Sequence, residues 1–468
     1  MKLKVVLFIG FLFVVNSFHA QKVSGKKLLK SVATLQKENK NVEGIKLIQS
    51  NFTDNGKYQT RIVIELASMQ VSVKGLDSAK YSLSLIETED IGKLESSYNE
   101  VSDKIKEGKE NYEIAIALAK KHVQSSSFDA ANLAYNDALQ FDEGNYKVWF
   151  GLAEVQSLRR NHQEAIKLYK KASLKYYNSP QELVHTYEHL AEEYIAVRMP
   201  YQAIQVCEKA ELINKMDPMI TFLKGKAMYY QRDFDLAEGV LSSAILLDKG
   251  YPDAYYYRGS CYFETKKYEN AINDFSKVLE LGVLTQESYS QRALSYYGLG
   301  QFDKAENDFK ELVKLEDKHF HAQNAVGVCQ FKQEKYDSAI VSFSQAIDFV
   351  GKDSNVINIK LYQYNLALAY NRNRELDKAE VLFSRLANKN RSYPLYTIMY
   401  TQTLMDQGNY KMADTFISEA LKLNSSVKEY YELSIKIAKK NGDTNKVGEL
   451  VFRMKRVHGD QQNLDVKF

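Results

Sequence analysis

An alanine that returns about every 34 residues constrains this chain more than any other feature. Ala131, Ala165, Ala203, Ala237, Ala271, Ala305, Ala339, Ala379 and Ala413 follow one another at intervals of 34, 38, 34, 34, 34, 34, 40 and 34, and Val447 stands 34 further on. Four residues after each alanine comes an apolar side chain: Tyr135, Tyr169, Cys207, Leu241, Phe275, Phe309, Phe343, Phe383 and Ile417. Twelve before it lies a small residue, as in Ala119, Ala153, Ala191, Gly225, Gly259, Ala293, Gly327 and Ala367, and three before it there is often an aromatic such as Tyr268 or Phe302. A period of this length with helical patterning predicts a repeated helix-turn-helix. Two antiparallel helices close to about 8 Å only where small residues line their crossing, and the neighbouring large side chains fill the space on either side. Gln301–Asp303 and Gly408–Tyr410 supply short turns, and Pro218, Pro252 and Pro394 fall at one phase of the repeat, where a first helix begins.

The pattern resembles the tetratricopeptide repeat, most fully at Trp149, Leu152, Ala153, Ala165, Tyr169 and Ala172, and it runs over residues 111–457. Departures are few: the family's closing proline is mostly absent, Thr401 replaces a small residue, and the last unit (Val447, Gly448) is degenerate, as a capping repeat allows. The resemblance implies a mainly α fold, a right-handed α-solenoid of about ten helix pairs, whose first helices line a concave surface. It implies binding of a protein or peptide rather than catalysis. The two longer intervals place insertions at Tyr176–Pro180 and Gly351–Asn358, and Ser179-Pro180-Gln181-Glu182 fits a helix-capping box. Repeats 1–2 therefore occupy 111–174, repeats 3–7 occupy 175–350 and repeats 8–10 occupy 351–457, with a tail at 458–468.

Residues 1–20 read as an export signal. Lys2 and Lys4 precede an apolar run from Val5 to Val15, and Ala20 offers a cleavage point before Gln21. That run reaches only about 16 Å as a helix, against about 30 Å of hydrocarbon, so it is short for a membrane span. No cysteine lies near the cleavage point, which argues against lipidation, and the expected location is secreted or periplasmic. Residues 21–110 are expected to form a small α+β cap. Leu28, Leu29, Val32 and Leu35 mark a short amphipathic helix, while alternation at Ile62, Ile64, Leu66, then Val71, Val73, then Leu83, Leu85 predicts three strands. Leu94, Tyr98, Val101 and Ile105 mark a helix leading into the array.

Little in the sequence points to catalysis. Formal charge is only +4, so no strong field draws nucleic acid or anionic membrane. Neither a Gly-x-Ser-x-Gly elbow nor a phosphate-binding loop is present, and an enzymatic reading would rest on Glu65, Glu87, Glu89 and Asp90 alone. Cys261 and Cys329 stand two repeat lengths apart, too far for the 5–6 Å Cα spacing of a disulfide, so these and Cys207 read as buried thiols. His185, His189 and Glu192 share one helix face at i, i+4 and i+7. Such a face can converge on zinc, or simply be a solvated helix surface. His319 and His321, at i and i+2, point to different sides. No cofactor is expected.

The stronger signal is aromatic. Tyr229, Phe263, Tyr297 and Phe331 recur every 34 residues, with Phe222 and Tyr256 seven before the first two. If the first helices line a groove, these rings form a ladder for stacking on a peptide or a sugar; the other reading is packing at the seam between repeats. The lysine and asparagine clamp that some family members use for carboxylates is not recognisable, with Asn324 alone at such a place. The leading expectation is an extracytoplasmic scaffold holding a partner protein or peptide, within an envelope assembly; the alternative is a glycan-binding protein in nutrient uptake.

Overall fold

The computed structural model describes residues 25–51, 59–72, 75–86, 94–175, 179–316, 319–351 and 359–459, and among them every regular element is helical, twenty-four helices in all. The predicted signal segment lies outside the described residues. The chain divides into two compact units, residues 1–233 and 234–468.

All nine recurring alanines are 0% exposed, which is the test of the spacing argument. The residue four on is buried with each of them, from Tyr135 and Tyr169 in the first unit to Phe275, Phe343 and Ile417 in the second. How tightly the crossings close is clearest where glycine stands. A Cβ built on Gly327 would meet the Phe343 ring at 2.7 Å, and one on Gly151 would lie 2.1 Å from the Tyr135 ring. Real Cβ atoms do not come that near a ring, so only a bare α-carbon lets these helices touch.

Helix boundaries follow from capping chemistry. The chain has five prolines, and each opens a helix: Pro180, Pro200, Pro218, Pro252 and Pro394, where the missing N–H would have no partner anyway. The capping box at Ser179 is present as expected, with Ser179 Oγ accepting from the Glu182 N–H and Glu182 accepting from the Ser179 N–H. The turns inside the pairs share one device. In helix Pro252–Glu264 the Lys267 N–H reaches back to the Tyr262 carbonyl at 2.7 Å and the Lys266 N–H to Phe263 at 3.0 Å, with Lys266 left-handed at φ 61°. This double bond pattern satisfies the last carbonyls and reverses the chain in three residues. Arg160, Glu334 and Arg374 hold the same left-handed place at φ 60°, 61° and 66°, and glycine takes it at Gly300, Gly408 and Gly442.

The α+β cap is not observed. Residues 25–110 fold as helices Gly25–Lys37, Asn41–Asn51, Gln59–Ser72 and Leu76–Ser84, followed by the start of helix Glu95–Gln124. The first is the amphipathic helix expected there. Ile62, Ile64, Leu66 and Val71, read as strands, belong to helix Gln59–Ser72; Leu83 lies in the last turn of helix Leu76–Ser84, Leu85 follows it, and Val73 lies outside the described residues. The reason is burial on several sides. Ile62, Val63, Ile64, Ala67 and Met69 are all buried, so the helix carries no single apolar stripe and its pattern imitates alternation. Helix Glu95–Gln124 joins this region to the repeats: Val101 and Ile105 pack with Ile64, Ala67, Ala79 and Leu83, while Tyr112, Ile116 and Ala119 pack with Ala131 and Tyr135 of the first repeat.

Candidate functional site

Within each unit, several first helices touch the first helix of the next repeat. Helix Pro180–Ala196 meets Pro218–Gln231 in the first unit, and Pro252–Glu264 meets Thr285–Gly298 in the second; successive second helices make no contact of comparable extent among the described residues. Elements on the inside of a curved stack are the ones brought close, so the first-helix face is the inner face of each unit and the surface best placed to hold an extended ligand.

The aromatic residues expected on that face are half-buried, except Phe222, which is buried. In the second unit, three of them do the same structural job. Phe263 lies edge-on to Tyr268 at 5.7 Å, Tyr297 to Phe302 at 5.2 Å and Phe331 to Tyr336 at 5.4 Å. Each ring at the end of a first helix thus meets the ring that opens its second helix, five residues on, and braces the turn between them. Tyr256 tilts against Phe275 at 5.7 Å. In the first unit, Tyr229 lies edge-on to Tyr230 at 5.6 Å, and Lys226 Nζ sits 5.6 Å over the Phe222 ring. Part of each half-buried ring still reaches solvent, so bracing and contact with a ligand are compatible.

The structure adds three tyrosines that the 34-residue spacing did not flag: Tyr364, which holds the place of Phe222 and Tyr256 but is displaced by the second insertion, and Tyr393 and Tyr396, which fall between the ladder's places. Tyr364 and Tyr396 are 5.8 Å apart, Tyr396 stacks on Tyr393 at 5.8 Å, and Tyr393 is 63% exposed. Stacked rings with Tyr393 open to solvent make this an accessible aromatic surface in the second unit.

A second feature is buried and was also missed. Arg258 donates from Nε and Nη2 to both Asp274 carboxylate oxygens (2.8 and 2.7 Å) and from Nη1 to Ser242 Oγ (3.1 Å). One repeat later, Arg292 does the same with Asp308 (2.8 and 2.7 Å) and Ser276 (2.9 Å). Each guanidinium is flanked by two rings, Tyr255 and Tyr262 around Arg258 and Tyr289 and Tyr296 around Arg292. Burial pushes the Asp274 carboxyl above its ordinary value even with Arg258 upon it, the mark of a pair whose desolvation cost is large beside its attraction. Each clamp ties one repeat's two helices to the second helix before it. The signal was available as Ser, Arg and Asp at 16-residue steps, repeated after 34.

Other candidates resolve locally. His185 stacks on Phe150 at 5.4 Å and bonds Glu188 Oε2 through Nδ1 at 2.8 Å; His189 stacks on Tyr169 at 5.6 Å, with Nδ1 3.5 Å from Glu192. Rings and a neighbouring carboxylate occupy these imidazoles, and no group of three side chains able to hold a metal occurs among the described residues. The hydrogen bond to Glu188 raises His185, whereas burial lowers His189. His319 Nδ1 accepts from the Ala322 N–H at 3.4 Å, His321 Nδ1 pairs with the Tyr362 hydroxyl at 2.6 Å, and Asn324 Oδ1 accepts from Asn365 at 3.0 Å. Glu65 accepts from Gln36 at 2.9 Å; Glu87, Glu89 and Asp90 lie outside the described residues. Cys207, Cys261 and Cys329 are free and buried, and burial pushes each thiol up to about 12. No helix among the described residues is long and apolar enough to cross a membrane.

Comparison with known proteins agrees with the repeat. Two family models, both described as tetratricopeptide repeat, match residues 252–281 and residues 116–180 and 290–354. No curated protein matches the sequence. Among solved structures, the C-terminal part of a TPR repeat-containing protein from Cytophaga hutchinsonii aligns at 18% identity over 53% of this chain and 97% of its own, with a TM-score of 0.45. A tetratricopeptide repeat protein from Parabacteroides merdae aligns at 16% identity over 56% of this chain and 99% of its own, with a TM-score of 0.41. YrrB, described as a TPR protein with an unusual peptide-binding site, aligns at 20% identity over 41% of this chain and 95% of its own, with a TM-score of 0.36. The matched segments fall on helix pairs whose crossing alanines are all buried, so the chain carries tetratricopeptide repeats.

Proposed function

We propose that this protein is a non-enzymatic scaffold that holds an extended segment of a partner protein along its first-helix faces, outside the cytoplasm. The observation that carries the reading is the contact between first helices of successive repeats, which sets their side chains side by side at several repeat steps. Aromatic rings at Tyr256, Phe263, Tyr297 and Phe331 give one such row in the second unit, continued by Tyr364, Tyr393 and Tyr396. A repeat array gains affinity by spreading modest contacts over several units, so no single deep pocket is required. The export reading rests on the N-terminal sequence, Lys2 and Lys4 before the apolar run, and an envelope assembly is the setting it favours.

The test begins with cross-linking in the native envelope and identification of the captured protein. Its binding is then measured with the parent, with Phe263→Ala combined with Tyr297→Ala, and with Tyr393→Ala. Each of the first two replacements also removes an edge-to-face contact worth about 1 kcal/mol, so melting is followed in parallel. Expected is at least a tenfold loss of binding in one of the two proteins with its melting transition retained. Unchanged affinity in both sinks the proposal. A glycan array run on the same protein separates the sugar-binding alternative, which requires that Tyr393→Ala abolish a sugar signal while protein capture fails.

A further inference from the structure

A second helix and the first helix that follows it meet at a fixed register. Ser242 and Ser276, each five residues after a recurring alanine, accept from Arg258 and Arg292 at 3.1 and 2.9 Å, and each arginine stands thirteen before the next alanine. Glu211, eight after its alanine, accepts at 2.7 Å from Lys224, again thirteen before the next. The places seventeen and thirteen before an alanine are accordingly buried along the array. Val148 and Leu152 in the second repeat show this, as do Ala322 with Val326 and Tyr362 with Leu366 in the second unit.

The first repeat departs from this rule. Ile114 and Leu118 hold the same two places before Ala131, yet they are 66% and 47% exposed. With Asn111, Asp137 and Phe141 they line a groove of about 340 Å³. The preceding helices stop short of it, meeting helix Glu95–Gln124 at Val101, Ile105 and Gly108. The converse surface lies on helix Thr444–His458, whose one extensive contact among the described residues is with helix Lys428–Lys440. Phe452, five after Val447 and so in the place of Ser242 and Ser276, is 68% exposed there. One helix thus carries the receiving half of the repeat joint and the other the entering half, each with an apolar side chain at the register place.

We propose that a second copy of this chain fills the groove, its helix Thr444–His458 docking on helix Glu95–Gln124 with Phe452 against Ile114 and Leu118, so that copies associate head to tail. Charge order supports this occupant. On helix Glu95–Gln124, exposed Glu107 and Glu110 stand one and two turns before Ile114, and exposed Lys121 follows Leu118 on the same face. On helix Thr444–His458 the order along the chain is the same, Glu449 before Phe452 and Lys455 and Arg456 after it, all exposed. Second helices run antiparallel to the first helices they meet, so setting Phe452 on Leu118 brings Glu449 level with Lys121 and turns Lys455 and Arg456 toward Glu110 and Asp137. Unlike charges meet at both ends of the apolar contact. Because the two surfaces differ, the contact passes from copy to copy and does not stop at a symmetric pair.

Sedimentation velocity of the full chain from about 2 to about 200 μM reads the association, which mass action makes concentration-dependent. The parent is expected to at least double its weight-average mass over that range, while Leu118→Glu and Phe452→Glu each stay monomeric. Both side chains are exposed, so melting should match the parent; Ile114→Glu and Arg456→Glu replace them if it does not. Mixed in equal amounts, the two variants are expected to form a pair and nothing larger, since one keeps an intact Phe452 and the other an intact groove. A parent that stays monomeric overturns the proposal. So does a Phe452→Glu protein that still self-associates, the mark of two grooves meeting face to face, and so does a mixture of the variants that fails to pair.

Discussion

Replacing Arg258 by leucine tests how much a buried clamp holds this array together. The Arg258 and Asp274 side chains are 19% and 8% exposed, and the change removes two charge-assisted hydrogen bonds to Asp274 and one to Ser242. Breaking a buried pair from one side costs about 3–5 kcal/mol, because the partner's charge stays behind in a dry place. Asp274 can escape by taking a proton, but at pH 7 that costs an ordinary carboxyl of pKa about 3.9 roughly 4 kcal/mol, so a penalty of about 4 kcal/mol stands. At pH 5 the same escape costs only about 1.5 kcal/mol, and the variant's penalty should shrink by about 2 kcal/mol. The matched double replacement, Arg258→Leu with Asp274→Leu, is expected within about 1 kcal/mol of the parent. Other repeats already carry apolar pairs at these two places, Leu152 with Leu168 and Leu366 with Leu382. Since repeat arrays open piecewise, the quantity to follow is hydrogen exchange of helices Pro252–Glu264 and Tyr268–Glu280, with urea unfolding beside it. A single-variant penalty below about 1 kcal/mol at pH 7, one that does not shrink at pH 5, or a double variant as damaged as the single would refute the reasoning.

Three further expectations can be checked on the same protein. Gly151→Ala drives a methyl into the Tyr135 ring and should cost about 2 kcal/mol in urea unfolding, whereas Gly239→Ala, with nothing within 4 Å, should gain about 0.5–1 kcal/mol. Cys207, Cys261 and Cys329 should resist alkylation by iodoacetamide at pH 8 in the native protein and react fully in denaturant, because burial holds the thiols protonated; native labelling within minutes would contradict this. Ser179→Ala removes the capping box of helix Pro180–Ala196 and should cost about 1 kcal/mol, seen as faster exchange in its first turn and unchanged exchange at its last.

What the sequence made legible was whatever repeats at a fixed step and has one steric cause. The alanine series, the apolar residue four on and the proline openings each obey a constraint that acts within a single helix pair, so spacing alone exposes them. Residues 59–85 misled for the opposite reason: burial on several sides erases the helical stripe, and period 2 then fits as well as period 3.6. The clamps at Arg258 and Arg292 were hidden because charged residues in a helix are read as solvent-facing until a partner is seen. The aromatic ladder was found, but its edge-to-face contacts five residues along show that each rung also closes a turn, a double duty that one-dimensional spacing cannot separate. Tyr393 and Tyr396 escaped because they stand 20 and 17 residues before Ala413, where the ladder, 8 and 15 before its alanines, has no rung.

The twofold appearance of the Ser–Arg–Asp arrangement bears on how such a chain changes length over generations. Arg258 and Arg292 are 34 residues apart and each looks 16 residues backward and 16 forward for its partners. Excising residues 252–285 in frame would set Ser242 where Ser276 now stands relative to Arg292 and Asp308, and no charge would be stranded. Copying the same stretch would add a third arrangement of the same kind. A polar link written in the period of the gene can be inherited, lost or multiplied as whole cassettes, whereas one that joined unequal steps would pin the count of repeats in place.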